Sequence, residues 1–163
     1  MEVKLAKIDR SNWLAAIELK VLPEQRAFVA TPIFSLAAAL VRRWGDEYVY
    51  ASHLICDGPA AVGFVCTVCD PTTTEEYWID DILIDEHYQG RGYGRAAMVE
   101  VIRLTRREYP RCAVVKLSCH ADNQQAARLY LSIGFKATGE LNSASGHPNY
   151  ELAGEALRAY REA

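Results

Sequence analysis

The stretch that decides the fold is residues 82–95, which read I-L-I-D-E-H-Y-Q-G-R-G-Y-G-R. An apolar strand ends there, a glycine-rich turn follows, and a helix begins. Such a turn presents backbone N–H groups at the positive end of the helix dipole, which favours a phosphate or pyrophosphate. Glycines let the backbone approach a ligand without a Cβ in the way, and Arg91 and Arg95 add positive charge. The stretch therefore predicts an anion site where the strand meets the helix.

Two common phosphate motifs do not match this turn. A Rossmann fingerprint requires G-x-G-x-x-G, but the third glycine, Gly94, comes one residue early, and Arg95 takes the required place. A P-loop requires Gly-Lys followed by Ser or Thr, which is absent. What remains is Q-x-x-G-x-G, formed by Gln89, Gly92 and Gly94. A turn of this kind also occurs as a plain helix cap, so its function depends on a second signal.

The second signal is residues 123–135, which read N-Q-Q-A-A-R-L-Y-L-S-I-G-F. Asn123 begins a predicted helix just beyond a predicted buried strand, and Tyr130 follows at position i+7 on the same side of that helix. Taken separately, Asn123 is a simple N-cap and Tyr130 a core aromatic residue. Their joint occurrence with the glycine loop favours a shared site.

Together the two segments resemble the Gcn5-related N-acetyltransferase (GNAT) superfamily. The loop is similar to that family's pyrophosphate motif, R/Q-x-x-G-x-G/A, through Gln89, Gly92 and Gly94. The second segment is similar to N-x-x-A-x-x-x-Y-x-x-x-G-F through Asn123, Ala126, Tyr130, Gly134 and Phe135. The resemblance covers most of residues 48–153, and segments 23–39 and 78–94 look most like the bacterial spermine/spermidine (diamine) acetyltransferase branch.

The resemblance implies acetyl-CoA as co-substrate, held in a gap between two parallel strands that splay apart, here Tyr77–Ile84 and Ala113–Cys119. It implies that Tyr130 protonates the leaving thiolate, which a phenol of pKa about 10 can do at close range. The remaining contacts that it implies are to the pantetheine arm from Ile82, Leu83, Ile84 and Asn123, and to the pyrophosphate from Gln89, Gly90, Arg91, Gly92, Tyr93, Gly94 and Arg95.

Charge is distributed unevenly around the loop. Residues 70–86 contain seven acidic residues and no Lys or Arg, whereas residues 91–111 contain six arginines against two glutamates. The simplest interpretation is two solvated faces, and the alternative is a site that meets a cation on one side and an anion on the other. An amine must lose a proton before it attacks a thioester, and Asp80 and Asp81 are the best candidates for accepting it.

Only one of these two aspartates is expected to face the site, because successive strand residues point to opposite faces. A bulge in the strand would reverse the phase, so the sequence leaves open which one it is. Glu24, Glu75 and Glu76 are further candidates for binding a second positive charge of the substrate, with solvated surface as the alternative.

The composition bounds the class of protein. A chain of 163 residues with a net charge of -3 fits one domain, residues 1–163, and argues against a general nucleic-acid binder. We expect no membrane span and no signal peptide. Five cysteines in a chain too large to need disulfides favour the cytoplasm. Cys66 and Cys69 are expected to be packing residues, and the four histidines show no ligand spacing, so no metal is expected.

The predicted fold class is α/β (α+β), with a mixed central sheet of about six to seven strands and flanking helices. Apolar periodicity and turn residues predict strands at 2–8, 48–56, 61–69, 77–84, 113–119, 135–138 and 149–153. The same signals predict helices from Trp13 to Leu19, Phe34 to Trp44, Arg95 to Tyr109, Asn123 to Ile133, and Glu155 to Tyr160.

The sequence thus predicts an acetyl-CoA-dependent N-acetyltransferase that acts on a small cationic primary amine such as a polyamine. One alternative is a different acceptor: an antibiotic amine, an amino acid or a protein lysine. Another is a non-catalytic acetyl-CoA sensor, against which the presence of Tyr130 argues. From the resemblance we also expect a homodimer.

Overall fold

The structure, a computed structural model, describes residues 2–160. Among these residues the strands are β1 (Val3–Lys7), β2 (Val49–Asp57), β3 (Ala60–Cys69), β4 (Tyr77–Ile84), β5 (Val114–Ser118), β6 (Lys136–Leu141) and β7 (Pro148–Ala153). The helices are α1 (Trp13–Ile17), α2 (Pro32–Leu40), α3 (Tyr93–Glu108), α4 (Gln124–Ile133) and α5 (Gly154–Arg158), with a 3-10 turn at Pro23–Gln25.

These strands form one seven-stranded sheet in the order β1-β2-β3-β4-β5-β7-β6. Neighbouring strands are antiparallel except for β4 and β5, which are parallel and pair at one position, Trp78 opposite Lys116. Beyond that pair the two strands diverge, so a gap opens at their carboxyl ends. The prediction of a mixed α+β sheet with a splayed parallel pair is confirmed.

A β-bulge in β4 lies where the two strands separate. Cys66 of β3 pairs with Asp81 and Thr67 pairs with Ile79, so Asp80 is the additional residue between them. A bulge of this kind bends its strand and shifts the alternation of side chains by one residue. Consistent with this shift, Ile79 contacts the core under α3 before the bulge, and Ile82 does so after it.

Each face of the sheet carries its own apolar core. On one face, α3 and α4 pack onto the central strands through Ala97, Met98, Val101, Ile102, Tyr130 and Ile133. On the other face, Ala16 and Leu19 cover Leu54, Phe64 and Leu83. All five cysteines are free thiols. None of the helices in residues 2–160 is both long and apolar enough to span a bilayer.

Helix α2 is shorter than predicted, and this difference matters for the site. It begins at Pro32, where the Thr31 hydroxyl accepts a 3.2 Å hydrogen bond from the N–H of Phe34, and it ends at Leu40 instead of Trp44. The helix ends there because Arg42 adopts a left-handed conformation, with φ of 52°. Residues 43 and 44 therefore leave the helix and pass over β4.

Candidate functional site

Four neighbouring cavities follow the gap between β4 and β5 and are named here by position. The loop groove, of about 380 Å³, lies under the glycine turn, and the throat, of about 60 Å³, adjoins it. The acidic cavity, of about 310 Å³, follows, and the outer cavity, of about 460 Å³, comes last. Each cavity shares lining residues with the next, so together they form one path across the end of the sheet.

The loop groove contains most of the residues that the sequence predicted for an acyl-CoA. Those that line it are Ile82, Leu83, Ile84, Gln89, Gly90, Gly92, Tyr93, Gly94, Arg95, Asn123 and Tyr130. Arg91 is exposed and stands outside this lining, with its guanidinium 5.9 Å from the centre of the Tyr88 ring. The structure thus brings together all but one of the predicted set.

The glycine turn has the backbone geometry of an anion cradle. Gly90 and Gly92 have φ values of 73° and 87°, which residues with a Cβ rarely adopt. A Cβ added at Gly90 would enter open space. Helix α3 begins at Tyr93, two residues earlier than predicted, so the N–H groups of its first turn open onto the groove. The residues present therefore fit a pyrophosphate.

Arg95 and Tyr93 are both held in place by other elements. The Arg95 guanidinium donates a 2.8 Å hydrogen bond to the hydroxyl of Ser132 on α4. The Tyr93 hydroxyl donates a 2.6 Å hydrogen bond to a carboxylate oxygen of Asp57, which ends β2. The start of α3 is thereby anchored to both the neighbouring helix and the hairpin.

Gln89 uses its side chain to hold a wall of the site. Its amide and that of Gln25 exchange hydrogen bonds of 2.8 Å and 3.0 Å, and Gln89 Nε2 also donates to the Ile84 carbonyl at 2.9 Å. Gln25 belongs to the segment between α1 and α2, whose Phe28 and Val29 line the loop groove, the throat and the acidic cavity. This amide pair therefore connects the turn to the wall of the whole path.

Asn123 and Tyr130 project from α4 into both the loop groove and the throat. Asn123 caps the helix, because its side-chain oxygen accepts a 3.2 Å hydrogen bond from the N–H of Ala126. Tyr130 is 9% exposed, and burial raises the pKa of its hydroxyl, with smaller contributions from Cys119 and Tyr150. The phenol therefore keeps its proton at neutral pH, as a general acid must.

Cys119 lies beside the throat and is a poor nucleophile there. Burial raises the pKa of its thiol, and its sulfur lies 3.6 Å from the carbonyl of His120 and 3.7 Å from that of Asn123. A thiol that remains protonated does not attack an acyl group efficiently. The surroundings of Cys119 therefore do not favour it as a nucleophile.

Both aspartates of β4 line the throat and the acidic cavity. Sequence reasoning expected only one to face the site, and the bulge at Asp80 explains why both do. Asp81 Oδ2 accepts a 2.6 Å hydrogen bond from the hydroxyl of Ser35 on α2. Burial, reinforced by the charge of Asp81, raises the pKa of Asp80 to about 6, although Arg43 and Trp44 oppose this rise.

The three predicted glutamates occupy different places. Glu24 is exposed on the 3-10 turn, away from the lining of the four cavities, and Glu75 is also exposed. Glu76 lines the outer cavity, where its Oε2 accepts a 2.9 Å hydrogen bond from the Trp78 indole. Of the three, Glu76 alone lies on the path that contains Asp80 and Asp81.

Several residues at the acidic cavity were not predicted from the sequence. They are the lining residues Phe28, Arg43, Trp44, His120 and His147, and Ser35, which donates to Asp81 from behind the lining. The His120 ring packs between Phe28 and His147, with ring centres 5.0 Å and 4.8 Å apart. An unusual cluster of aromatic residues near the end of α2 was the one available hint, and it points to packing as readily as to a site.

Comparison with known proteins agrees with this geometry. The model of the acetyltransferase (GNAT) family matches residues 13–135. The spermine/spermidine N(1)-acetyltransferase of Bacillus subtilis (strain 168) is 26% identical over 144 residues, 87% of this chain and 93% of that enzyme.

Two solved structures share the fold. The spermidine N-acetyltransferase from Vibrio cholerae, in complex with CoA and spermine, has a TM-score of 0.74 at 15% identity, covering 96% of this chain and 98% of that one. The aminoglycoside acetyltransferase AAC(6')-Ib, in complex with coenzyme A, has a TM-score of 0.76 at 12% identity and the same coverage. The family match, the loop and Tyr130 lead to one conclusion: the chain belongs to the GNAT family and is an N-acetyltransferase.

Proposed function

We propose that this enzyme transfers the acetyl group of acetyl-CoA directly to a primary amine of a small cationic acceptor, with polyamines such as spermidine and spermine as the first candidates. The observation that carries the proposal is the throat, where Tyr130 from one side and Asp80 and Asp81 from the other line a cavity of about 60 Å³. A proton donor and a proton acceptor thus face the junction between a pyrophosphate cradle and an acidic cavity.

Acetyl-CoA supplies the thioester from which the acetyl group is taken. The backbone N–H groups of residues 89–94 and the Arg95 guanidinium are suited to hold its pyrophosphate. On the edge of β4 that faces away from β3, residues 82–84 lack a β5 partner, and Gln89 already holds the Ile84 carbonyl. The remaining backbone polar groups on that edge are suited to bind an extended amide-bearing arm. Asn123 lines the same groove, together with Tyr130, and can contribute a side-chain amide contact to the arm.

Two proton movements are assigned to residues of the throat. Asp80 accepts the proton that the acceptor ammonium must lose, because its raised pKa of about 6 is closer to neutral pH than that of an ordinary carboxyl. Tyr130 delivers a proton to the leaving thiolate, since burial keeps its hydroxyl protonated. Ser35 holds the Asp81 carboxylate at the cavity wall, where its negative charge attracts the cationic substrate.

The acceptor is proposed from the charge of the cavity and from relatives. The carboxylates of Asp80 and Asp81, which line both the throat and the acidic cavity, favour an ammonium-bearing acceptor over a neutral or acidic one. The Bacillus subtilis relative is named for spermine and spermidine. The aminoglycoside acetyltransferase has a TM-score of 0.76, close to the 0.74 of the spermidine N-acetyltransferase from Vibrio cholerae. Another amine, such as an aminoglycoside, an amino acid or a protein lysine, is therefore the second candidate.

The test is a panel of amines assayed for release of the free CoA thiol. We expect turnover with polyamines and short diamines that exceeds turnover with aminoglycosides, amino acids and lysine peptides. Higher turnover with aminoglycosides, amino acids or lysine peptides would identify that group as the acceptor instead of polyamines. Binding of acetyl-CoA by calorimetry without thiol release for any amine would instead favour a non-catalytic sensor.

We further propose that the enzyme is a cytoplasmic homodimer. The five free thiols are suited to a reducing compartment. Large exposed apolar side chains cluster on α1, α2 and the residue after α2, namely Trp13, Leu14, Ile33, Phe34, Leu40 and Val41, and a second copy would cover them. A related Vibrio cholerae enzyme is described as dodecameric, so the mass in solution by light scattering distinguishes a dimer from a larger assembly.

A further inference from the structure

The outer cavity continues the acceptor path along β4. It shares Arg43, Trp44 and Trp78 with the acidic cavity and adds Glu76 to the wall. Glu76 and Trp78 are on the same face of the strand, since the Trp78 indole donates to Glu76. Four residues of strand, at about 3.3 Å each, separate Glu76 from Asp80 by roughly 13 Å. The Glu76 carboxylate, beside the Trp78 ring, thus lies roughly 13 Å along the strand from Asp80.

A positively charged side chain of the protein, Lys116, already lies beside the Glu76 carboxylate. Lys116 pairs with Trp78 at the single point where β4 and β5 meet. Its ammonium nitrogen lies 3.8 Å from Glu76 Oε1 and 5.7 Å from the centre of the Trp78 ring, and its side chain is 24% exposed. The pair of Glu76 and the Trp78 face, which we call the distal seat, therefore holds a primary ammonium in the free enzyme.

We propose that Lys116 determines acceptor specificity by filling the distal seat. A substrate ammonium that reached Glu76 would have to share one carboxylate with Lys116. Arg43, which lines the outer cavity, adds positive charge there. Repulsion between like charges at a few ångströms cancels the attraction that the carboxylate and the aromatic face would offer. The wild-type enzyme consequently gains nothing from a second ammonium about 13 Å from the reacting nitrogen.

This inference rests on the proposed function and narrows its substrate class. Recognition of charge is confined to the reacting end of the acceptor, at Asp80 and Asp81. The rest of the acceptor meets aromatic faces and hydrogen-bonding groups of the outer cavity. Monoamines and diamines of equal length are therefore expected to be equivalent substrates once the second nitrogen passes Trp44.

The test compares straight-chain monoamines with α,ω-diamines of equal length, using kcat/KM in the wild type and in variants at residue 116. For the wild type we expect a diamine-to-monoamine ratio near one at the length that reaches Glu76. Lys116→Met keeps the long apolar stem and removes the charge, and it should raise that ratio about threefold to tenfold. Lys116→Arg keeps the charge and should leave the ratio at the wild-type value.

A second variant connects the effect to Glu76. Adding Glu76→Gln to Lys116→Met should return the ratio to about one, because the carboxylate that attracts the distal ammonium is gone. If Lys116→Met folds poorly, Lys116→Gln provides the same neutral position. Monoamine turnover is the internal reference, since none of these changes touches the throat.

Two outcomes would overturn the inference while leaving the proposed function intact. One is a wild-type enzyme that already favours the long diamine severalfold over its matched monoamine, a measurement that needs no variant. The other is a ratio in Lys116→Met that equals the wild-type ratio. Absence of turnover with every amine would instead contradict the proposed function itself.

Discussion

Asp80 and Asp81 face the same cavity although they are consecutive residues of one strand. The relationship depends on the bulge opposite Cys66 and Thr67, which leaves Asp80 as the additional residue of β4. The two carboxylates have different surroundings: Ser35 donates a 2.6 Å hydrogen bond to Asp81, whereas Asp80 is half-buried beside that negative charge. The pair thus consists of an anchored carboxylate, Asp81, and a carboxyl whose pKa is raised, Asp80.

The pH dependence of turnover should report Asp80. Because its pKa is raised to about 6, kcat/KM should increase as the pH rises through about 6, where the carboxyl loses its proton and becomes a base. Asp80→Asn should lower kcat/KM about 100-fold or more and remove this acidic limb. Asp81→Asn is the matched control and should retain a limb. An acidic limb that persists unchanged in Asp80→Asn would assign the base elsewhere.

The same carboxyl should affect stability with a definite sign. Its pKa is higher in the folded protein, about 6, than the ordinary value of 3.8, so deprotonation favours the unfolded chain. Asp80→Asn should therefore be more stable than the wild type by up to about 3 kcal/mol at pH 7–8. This advantage should decline as the pH falls from 6 to 4 and vanish below 4. Urea unfolding at several pH values measures it, and a pH-independent difference would contradict the burial of a charged carboxylate.

Tyr130→Phe separates chemistry from binding. The phenyl ring preserves the packing against Phe135 and Tyr150, whose ring centres lie 6.1 Å and 6.3 Å away. Only the proton donor is lost, so kcat should fall about 100-fold while the Kd for acetyl-CoA stays within about twofold. An equal loss of kcat and of affinity for acetyl-CoA, or no loss of either, would contradict the role assigned to Tyr130. Steady-state kinetics measure kcat, and calorimetric titration measures the Kd for acetyl-CoA.

The Gln25–Gln89 amide pair should couple the two substrates. Gln25→Leu removes both reciprocal hydrogen bonds and releases the segment whose Phe28 and Val29 line three cavities. We expect the KM for acetyl-CoA and the KM for the amine to rise together, about fivefold each. Arg26→Leu changes an exposed neighbour and should leave both constants unchanged. A rise in one constant alone would show that the pair serves a single substrate.

Gly63 should be indispensable for the register of β3 and β4. A Cβ at this position would overlap the carbonyl oxygen of Leu83 and would press on Ile84 at 3.0 Å and on Ile55 at 3.1 Å. Gly63→Ala should therefore destabilise the protein by about 3 kcal/mol, measured by urea unfolding. At Gly94 a Cβ meets Leu129 at an ordinary 3.4 Å, so Gly94→Ala should cost less than about 1 kcal/mol. Equal costs would contradict this steric argument.

Turn, cap and periodicity patterns in the sequence predicted the elements that form the loop groove. Strand β4 was predicted with its observed bounds, and α4 was predicted to within one residue of its observed start and with its observed end, where Gly134 adopts the left-handed conformation. These features succeed because turn, cap and periodicity preferences act within a few neighbouring residues. The loop groove follows from them, since the glycine turn and α4 contain most of its lining.

The acceptor side depended on the tertiary structure. The end of α2 was wrong by four residues, because the left-handed conformation of Arg42 is stabilised by a 2.8 Å hydrogen bond from its guanidinium to the carbonyl of Tyr48. That ending brings Arg43 and Trp44 over β4. The bulge at Asp80 was recognised as an open alternative, but it is settled only by how β3 pairs with β4.

By itself, the sequence determined the fold class, the glycine turn and the pair Asn123 and Tyr130, because each is encoded by residues a few positions apart. The tertiary structure alone decided that both aspartates face the acidic cavity, that Glu76 lines the outer cavity while Glu24 is outside that lining, and that the Lys116 ammonium lies 3.8 Å from Glu76. Those relationships join residues that are distant in sequence, and their geometry is set by strand pairing and packing, which no local pattern encodes.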